Sequence, residues 1–172
     1  MLLDLSHFQG DIDHLDRQYE PDAFDLAGED FRLTGPAHLV GEVRRDAQKF
    51  RLQGRLTATL EMSCSRCLEP FDVAVDAALD NVFLPASENT GEGEQEVGEG
   101  DLGVSFYRND VIDLGEAMRE QFFLALPMKP LCREPCQGLC PVCGVNLNRE
   151  TCPGHPEWVD PRLEPLRKLR GQ

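Results

Sequence analysis

Two stretches in the middle of the chain alternate between apolar and polar side chains. In the first, residues 50–62, one parity carries Phe50, Leu52, Leu56, Leu60 and Met62. The second, residues 71–79, repeats the pattern with Asp72 and Asp76 on its polar face. A period of two is typical of a β-strand that packs one face on a core and exposes the other to water. The two strands are predicted to pair antiparallel.

The remaining patterns add shorter strands and one helix. Residues 37–44 and 104–108 predict two further strands. A helix is predicted to start at Asp113, which stands three residues before Glu116 as in a capping box, and prolines end it at Pro127 and Pro130. The sequence therefore predicts an α+β fold, an antiparallel β-meander of four or five strands packed by one main helix, with a C-terminal zinc-knuckle segment.

The composition divides the chain into three parts. Residues 1–127 are predicted to form the sheet-plus-helix domain, 128–158 a cysteine-rich segment and 159–172 a basic amphipathic tail. Within the first part, residues 85–103 hold six acids, no base and five glycines. Such a stretch buries too little apolar surface to fold alone, so we expect a mobile acidic loop.

The net charge of −14 is distributed unevenly along the 172 residues. Residues 1–100 hold 8 basic and 21 acidic side chains, whereas residues 101–172 hold 9 and 10. Lys and Arg supply most of the sequence-independent affinity for nucleic acid, so an acidic domain is expected to bind a basic protein instead. Contact with RNA is expected only through the cations of the tail, Arg162, Arg167, Lys168 and Arg170.

Nothing in the sequence predicts a membrane span or a signal peptide. The longest purely apolar run, Phe122–Leu126, has five residues, whereas a membrane-spanning helix needs about 20. The N-terminus carries an acid at Asp4 and has neither a basic region nor a long apolar stretch. We therefore expect a cytoplasmic protein that has no membrane partner.

Five of the seven cysteines lie within 21 residues, a density typical of a metal site in a chain without an export signal. Cys140 and Cys143 are separated by two residues and followed by Gly144, the spacing of a zinc knuckle. A structural zinc takes four ligands, and two pairs are available to complete it: Cys132 with Cys136 upstream, or Cys152 with His155 downstream. We predict one structural Zn²⁺ per chain, held by Cys132, Cys136, Cys140 and Cys143, with Cys152 and His155 as alternates.

Cys64 and Cys67 lie between the two long predicted strands, beside a hairpin turn. Three interpretations stay open: half of a second metal site, a redox dithiol, or small side chains at a turn. The sequence contains no phosphate-binding loop and no nucleophile with its base, so we expect neither an enzyme nor a small-molecule substrate. The alternative is a dithiol oxidoreductase that uses Cys64 and Cys67.

Four motifs together carry a family resemblance. They read CSRCLEPF, DVIDLGEAMREQFFLALPMKPLC, CQGLCPVCGVNLN and VDPRLEPLRKL. From about residue 35 to 170, the acidic loop excepted, the chain resembles the YceD family of large ribosomal RNA subunit accumulation proteins. The resemblance implies a bacterial or plastid factor that large-subunit ribosomal RNA needs in order to accumulate, through ribosome assembly or RNA processing and without catalysis of its own. Its expected partners are a basic ribosomal protein or assembly factor, and ribosomal RNA through the tail.

Overall fold

The computed structural model describes residues 1–8, 10–88 and 103–154, which form eight strands and one α-helix. The strands are β1 (Leu2–Asp4), β2 (Ile12–Tyr19), β3 (Phe31–Leu33), β4 (Ala37–Asp46), β5 (Lys49–Ser63), β6 (Pro70–Pro85), β7 (Val104–Tyr107) and β8 (Val111–Asp113). The helix is α1 (Leu114–Ala125), and short 3-10 helices cover Leu5–His7, Pro21–Ala23 and Ala86–Glu88. The molecule is thus an α+β protein with a six-stranded, mixed and mostly antiparallel sheet, while β1 and β8 pair in a separate two-stranded sheet.

The centre of the sheet is the long hairpin of β5 and β6. These strands pair antiparallel from Phe50 opposite Phe83 to Ser63 opposite Pro70, which confirms the pairing predicted from the alternation. On the other side β4 pairs with β5 and then with β2, and the short β3 pairs with the end of β5 at Leu60 and Met62. The six-residue turn between β5 and β6 therefore places Cys64 and Cys67 at the end of the sheet.

The prediction of an antiparallel meander was wrong for one of its strands, β7. β7 pairs with β6 in parallel, with Val104 opposite Val82. A parallel pair needs a crossover of a dozen or more residues instead of a tight turn, and residues 86–103 supply that length. Of the predicted acidic loop, Pro85 belongs to β6 and Ala86–Glu88 to a 3-10 helix, while residues 89–102 lie outside the described residues.

The core lies between one face of the sheet and α1. The predicted helix is confirmed, and it begins where the Asp113 carboxylate accepts a hydrogen bond of 2.8 Å from the Gly115 amide. Leu114, Met118 and Phe122 are completely buried on its inner face. They join a single core with the inward side chains of the sheet, which include Leu39, Leu56 and Leu60. No helix within the described ranges has the length and apolar character of a membrane span.

Candidate functional site

The chain that follows α1 is fastened to the turn between β5 and β6. The backbone amide and the hydroxyl of Ser65 both donate to the carbonyl of Pro130, at 2.8 and 2.9 Å. The Arg66 guanidinium donates to the Cys136 carbonyl at 2.8 Å, and the Leu139 amide donates to the Arg66 carbonyl at 3.1 Å. These contacts bring the cysteine-rich segment against the cysteine pair of the turn.

Four sulfur atoms meet at this junction and form what we call the inner cluster: Cys64, Cys67, Cys132 and Cys136. Their Sγ atoms all lie within 4.8 Å of one another, with 3.8 Å between Cys64 and Cys136 and 3.7 Å between Cys67 and Cys132. Four ligands at about 2.3 Å from a tetrahedral zinc lie about 3.8 Å apart, whereas a disulfide holds two sulfurs at about 2.05 Å. The spacing fits one metal ion at the centre of the cluster.

Three further sulfur atoms form the outer cluster: Cys140, Cys143 and Cys152. The Cys152 Sγ lies 3.6 Å from that of Cys140 and 3.9 Å from that of Cys143. Cys140 is buried and Cys143 is exposed. The outer cluster therefore offers three ligands to a second ion, nearer the surface than the inner cluster.

The two C-x-x-C turns share one backbone conformation. In the knuckle, Gly144 has a φ of +74° and its amide donates to the Cys140 carbonyl at 2.9 Å. In the hairpin turn, Leu68 has a φ of +61° and its amide donates to the Cys64 carbonyl at 2.9 Å. A residue other than glycine is uncommon at such a φ. Because Leu68 occupies the position that Gly144 has in the knuckle, the similarity of the two turns could not be recognised from the sequence.

The clusters combine thiols that ionise readily with thiols that do not. Burial opposes ionisation of Cys64, but backbone hydrogen bonds from Cys132, Cys67 and Arg66 outweigh it and lower the Cys64 pKa to about 6. Burial and the neighbouring thiols raise the pKa of Cys132 to about 12. In the outer cluster, backbone hydrogen bonds from Cys143 and Val142 lower the pKa of Cys140 to about 7. Several thiolates at this separation repel one another, and a cation among them removes that repulsion.

Asn148 connects the two clusters. Its Nδ2 donates to the Cys136 Sγ at 3.3 Å, while its Oδ1 accepts from the Gln137 amide at 2.9 Å and from the Arg133 guanidinium at 2.9 Å. In sequence Asn148 lies between Cys143 and Cys152, so it belongs to the loop of the outer cluster. A side chain of the outer loop thus orients a sulfur of the inner cluster.

The predicted ligand set of Cys132, Cys136, Cys140 and Cys143 is not assembled in one place. Cys132 and Cys136 lie with Cys64 and Cys67, because the hydrogen bonds to Ser65 and Arg66 hold their segment on the hairpin turn. Cys140 and Cys143 instead lie with Cys152, one of the predicted alternates. The other alternate and the tail cations, His155, Arg162, Arg167, Lys168 and Arg170, lie outside the described residues.

The geometry also bears on the dithiol alternative. Cys64 has 0% of its surface exposed and Cys67 has 3%. Thiol–disulfide exchange requires direct attack of one sulfur on another, so a reactive dithiol must be accessible. Their burial favours a structural role for the pair over exchange with a protein substrate.

Comparison with known proteins places these elements in one family. Residues 52–170 match the family model of the large ribosomal RNA subunit accumulation protein YceD. An uncharacterized protein of Mycobacterium tuberculosis is 38% identical over 122 residues, which cover 69% of this chain and 54% of the relative. A protein of Zea mays, the large ribosomal RNA subunit accumulation protein YCED homolog 1, chloroplastic, is 25% identical over 92% of this chain and 63% of its own length.

The chain spans about half the length of the mycobacterial relatives that it matches. No solved structure matches it. The matched range runs from β5 to beyond the outer cluster and so includes all seven cysteines.

Proposed function

Because this chain belongs to the YceD family of large ribosomal RNA subunit accumulation proteins, we propose that it is a non-enzymatic factor for assembly of the large ribosomal subunit. The observation that carries the proposal is the family match over residues 52–170. Plant relatives named for the same process support it. We place its action in the bacterial cytoplasm, where large subunits are assembled.

A test in cells measures the ratio of large-subunit to small-subunit ribosomal RNA after depletion of the protein. We expect the ratio to fall and precursor particles to accumulate, and the full chain supplied in trans to restore both. An unchanged ratio would refute the assembly role.

The charges of the described residues favour a basic protein as the partner of the folded domain. Arg51 forms a bidentate pair with Asp80, at 2.7 and 2.6 Å, and Arg55 forms one with Asp76. Further arginines paired with carboxylates are Arg32, Arg44, Arg119 and Arg149. Because these cations are already neutralised, the surplus carboxylates determine the field outside the domain, and that field attracts a basic surface.

RNA contact is assigned to the tail. Residues 162–170 carry Arg162, Arg167, Lys168 and Arg170 against the single acid Glu164. Such a cluster on an otherwise acidic chain suits the phosphate backbone. In this arrangement the acidic domain holds a ribosomal protein or assembly factor while the tail touches ribosomal RNA.

The resident metal that we propose is one structural Zn²⁺ in the outer cluster. Cys140, Cys143 and Cys152 supply three thiolates at the required spacing, and His155 follows Cys152 at a ligand spacing of two intervening residues. Zinc is favoured because thiolate and imidazole ligands in a tetrahedron are its usual structural set. Elemental analysis of protein purified without added metal tests this, and iron in place of zinc would refute it.

A further inference from the structure

The zinc site proposed for the outer cluster uses three of the seven cysteines and leaves four without an assigned role. We propose that these four, Cys64, Cys67, Cys132 and Cys136, bind a second Zn²⁺ in a closed four-thiolate site. This ion fastens the chain after α1 to the turn between β5 and β6. The inference goes beyond the ribosomal role and is independent of the outer ion.

The donor set is complete. One C-x-x-C pair, Cys64 and Cys67, and one C-x-x-x-C pair, Cys132 and Cys136, together supply four thiolates. A structural zinc takes four ligands, so no coordination position remains for water or substrate. The sulfur separations of 3.7 and 3.8 Å equal those expected around one tetrahedral ion. A closed tetrahedron of this kind is structural and has no catalytic position.

The surroundings fit thiolates better than four thiols packed as small apolar groups. A cluster packed for burial alone needs no donors, yet the Asn148 amide is aimed at the Cys136 sulfur at 3.3 Å. Asn148 is itself held in place, since its Oδ1 accepts two hydrogen bonds and Asn146 accepts a second bond from its Nδ2. An oriented donor to a ligand atom is the arrangement that metal sites use to position their ligands.

Apolar burial contributes little to the fold of the described segment after α1. Within residues 128–154 the only buried residues are Cys136, Gly138 and Cys140. Within the described ranges, the partly buried apolar side chains packed against the inner cluster, apart from Cys132 itself, are Phe71 and Leu131. So little buried apolar surface does not order a chain of this length, whereas metal binding supplies folding energy directly to the residues that it joins.

The site also explains why the junction is made at this point of the fold. Cys64 and Cys136 are 72 residues apart in sequence, and Cys67 and Cys132 are 65 apart. Gly138 adopts a φ of +75°, and a Cβ at that position would lie 3.0 Å from the Arg66 carbonyl. The close approach of these backbones lets the segment pass over the turn with two cysteines on each side of one ion.

The decisive measurement is zinc per chain in the full-length protein, purified without added metal. We expect two ions in the wild type, one in Cys67→Ser, one in Cys143→Ser, and none when the two substitutions are combined. Ser63→Ala, an exposed neighbour of Cys64, is the matched control and should retain two. One ion in the wild type that Cys67→Ser leaves in place would overturn the proposal, as would iron in the inner cluster.

Hydrogen exchange keeps the proposal testable if Cys67→Ser fails to fold. In the wild type, a chelator should remove the protection of the Ser65 and Leu139 amides, which bond across the junction, while the Leu56 amide within the sheet stays protected. In Cys143→Ser, which lacks only the outer ligand, both junction amides should stay protected until chelator is added. Protection of both amides in metal-free wild-type protein would show that no ion fastens the junction. Neither result depends on ribosomal RNA accumulation, so the assembly role stands or fails separately.

Discussion

The side-chain amide of Asn148 donates a hydrogen bond of 3.3 Å to the sulfur of Cys136. The donor belongs to the loop between Cys143 and Cys152 of the outer cluster, and the acceptor belongs to the inner cluster. One hydrogen bond therefore joins the loop of the outer cluster to a sulfur of the inner cluster.

Replacement of this donor should weaken metal binding at the inner site. Asn148→Asp keeps the size of the side chain but places a carboxylate beside a thiolate, so the zinc affinity of the inner cluster should fall by about 10- to 100-fold. Competition with a chromophoric chelator measures that affinity. Thr151→Ala, an exposed position of the same loop, should leave it unchanged, and equal affinity in both variants would contradict the role of Asn148.

The tail should carry the RNA contact. Deletion of residues 161–172 should weaken co-sedimentation with large-subunit precursors and flatten its dependence on salt, because each lost phosphate contact lowers the slope by about one. Association that survives ribonuclease should be retained, since the acidic domain holds the protein partner. Arg17→Gln removes one exposed cation of that domain and should leave the slope as it is. Tight binding of naked RNA by the truncated chain would contradict this prediction, because the RNA contact would then lie on a basic surface outside the tail.

The ion pair between Arg51 and Asp80 should contribute a small, pH-dependent part of the free energy of unfolding. Hydrogen bonding to Arg51 lowers the pKa of Asp80 in the folded chain. A carboxyl with a lowered folded pKa stabilises the protein above its unfolded pKa of about 3.9 and loses that contribution as the pH falls through the folded pKa. Asp80→Asn should therefore cost about 0.2–1 kcal/mol at pH 7, because the pair is half-exposed, and less at about pH 3, below the unfolded pKa.

Urea denaturation at the two pH values measures the difference. Asp72→Asn is the matched control on the same strand. Asp72 lies opposite Glu61 in the register, and like charges in that position repel, so its removal should not lower the free energy of unfolding. An equal loss for Asp80→Asn at both pH values would refute an electrostatic origin.

The inner face of α1 should dominate the stability of the core. Phe122 is completely buried and packs edge to face on Phe24 at a centroid distance of 5.3 Å. Phe122→Ala should lower the free energy of unfolding by about 3–5 kcal/mol, through lost burial and the cavity left behind. Leu124→Ala, two residues along the same helix and 76% exposed, should change it by less than about 0.5 kcal/mol. Chemical denaturation of both zinc-loaded variants tests the difference.

Local patterns in the sequence were sufficient for the elements that bury one face. The alternation over residues 50–62 and 71–79 predicted β5, β6 and their pairing, because a period of two leaves one register that buries every apolar side chain. The helix was equally clear, since Asp113 caps it and prolines follow it. β2 was missed because only Leu15 of its eight residues is buried, so the strand shows no alternation.

The sequence by itself determined the family, the α+β class, the long hairpin and the C-x-x-C turn at Cys140 and Cys143, because each depends on residues close together in the chain. Only the tertiary structure decided the direction of β7 and the grouping of the cysteines. The grouping of four sulfur atoms is a relation in space, and nothing in the spacing of Cys132 and Cys136 distinguishes a partner four residues away from one 65 residues away. The pairing of β5 with β6 and the hydrogen bonds of Ser65 and Arg66 bring the distant pair into reach, and those contacts exist only once the chain has folded.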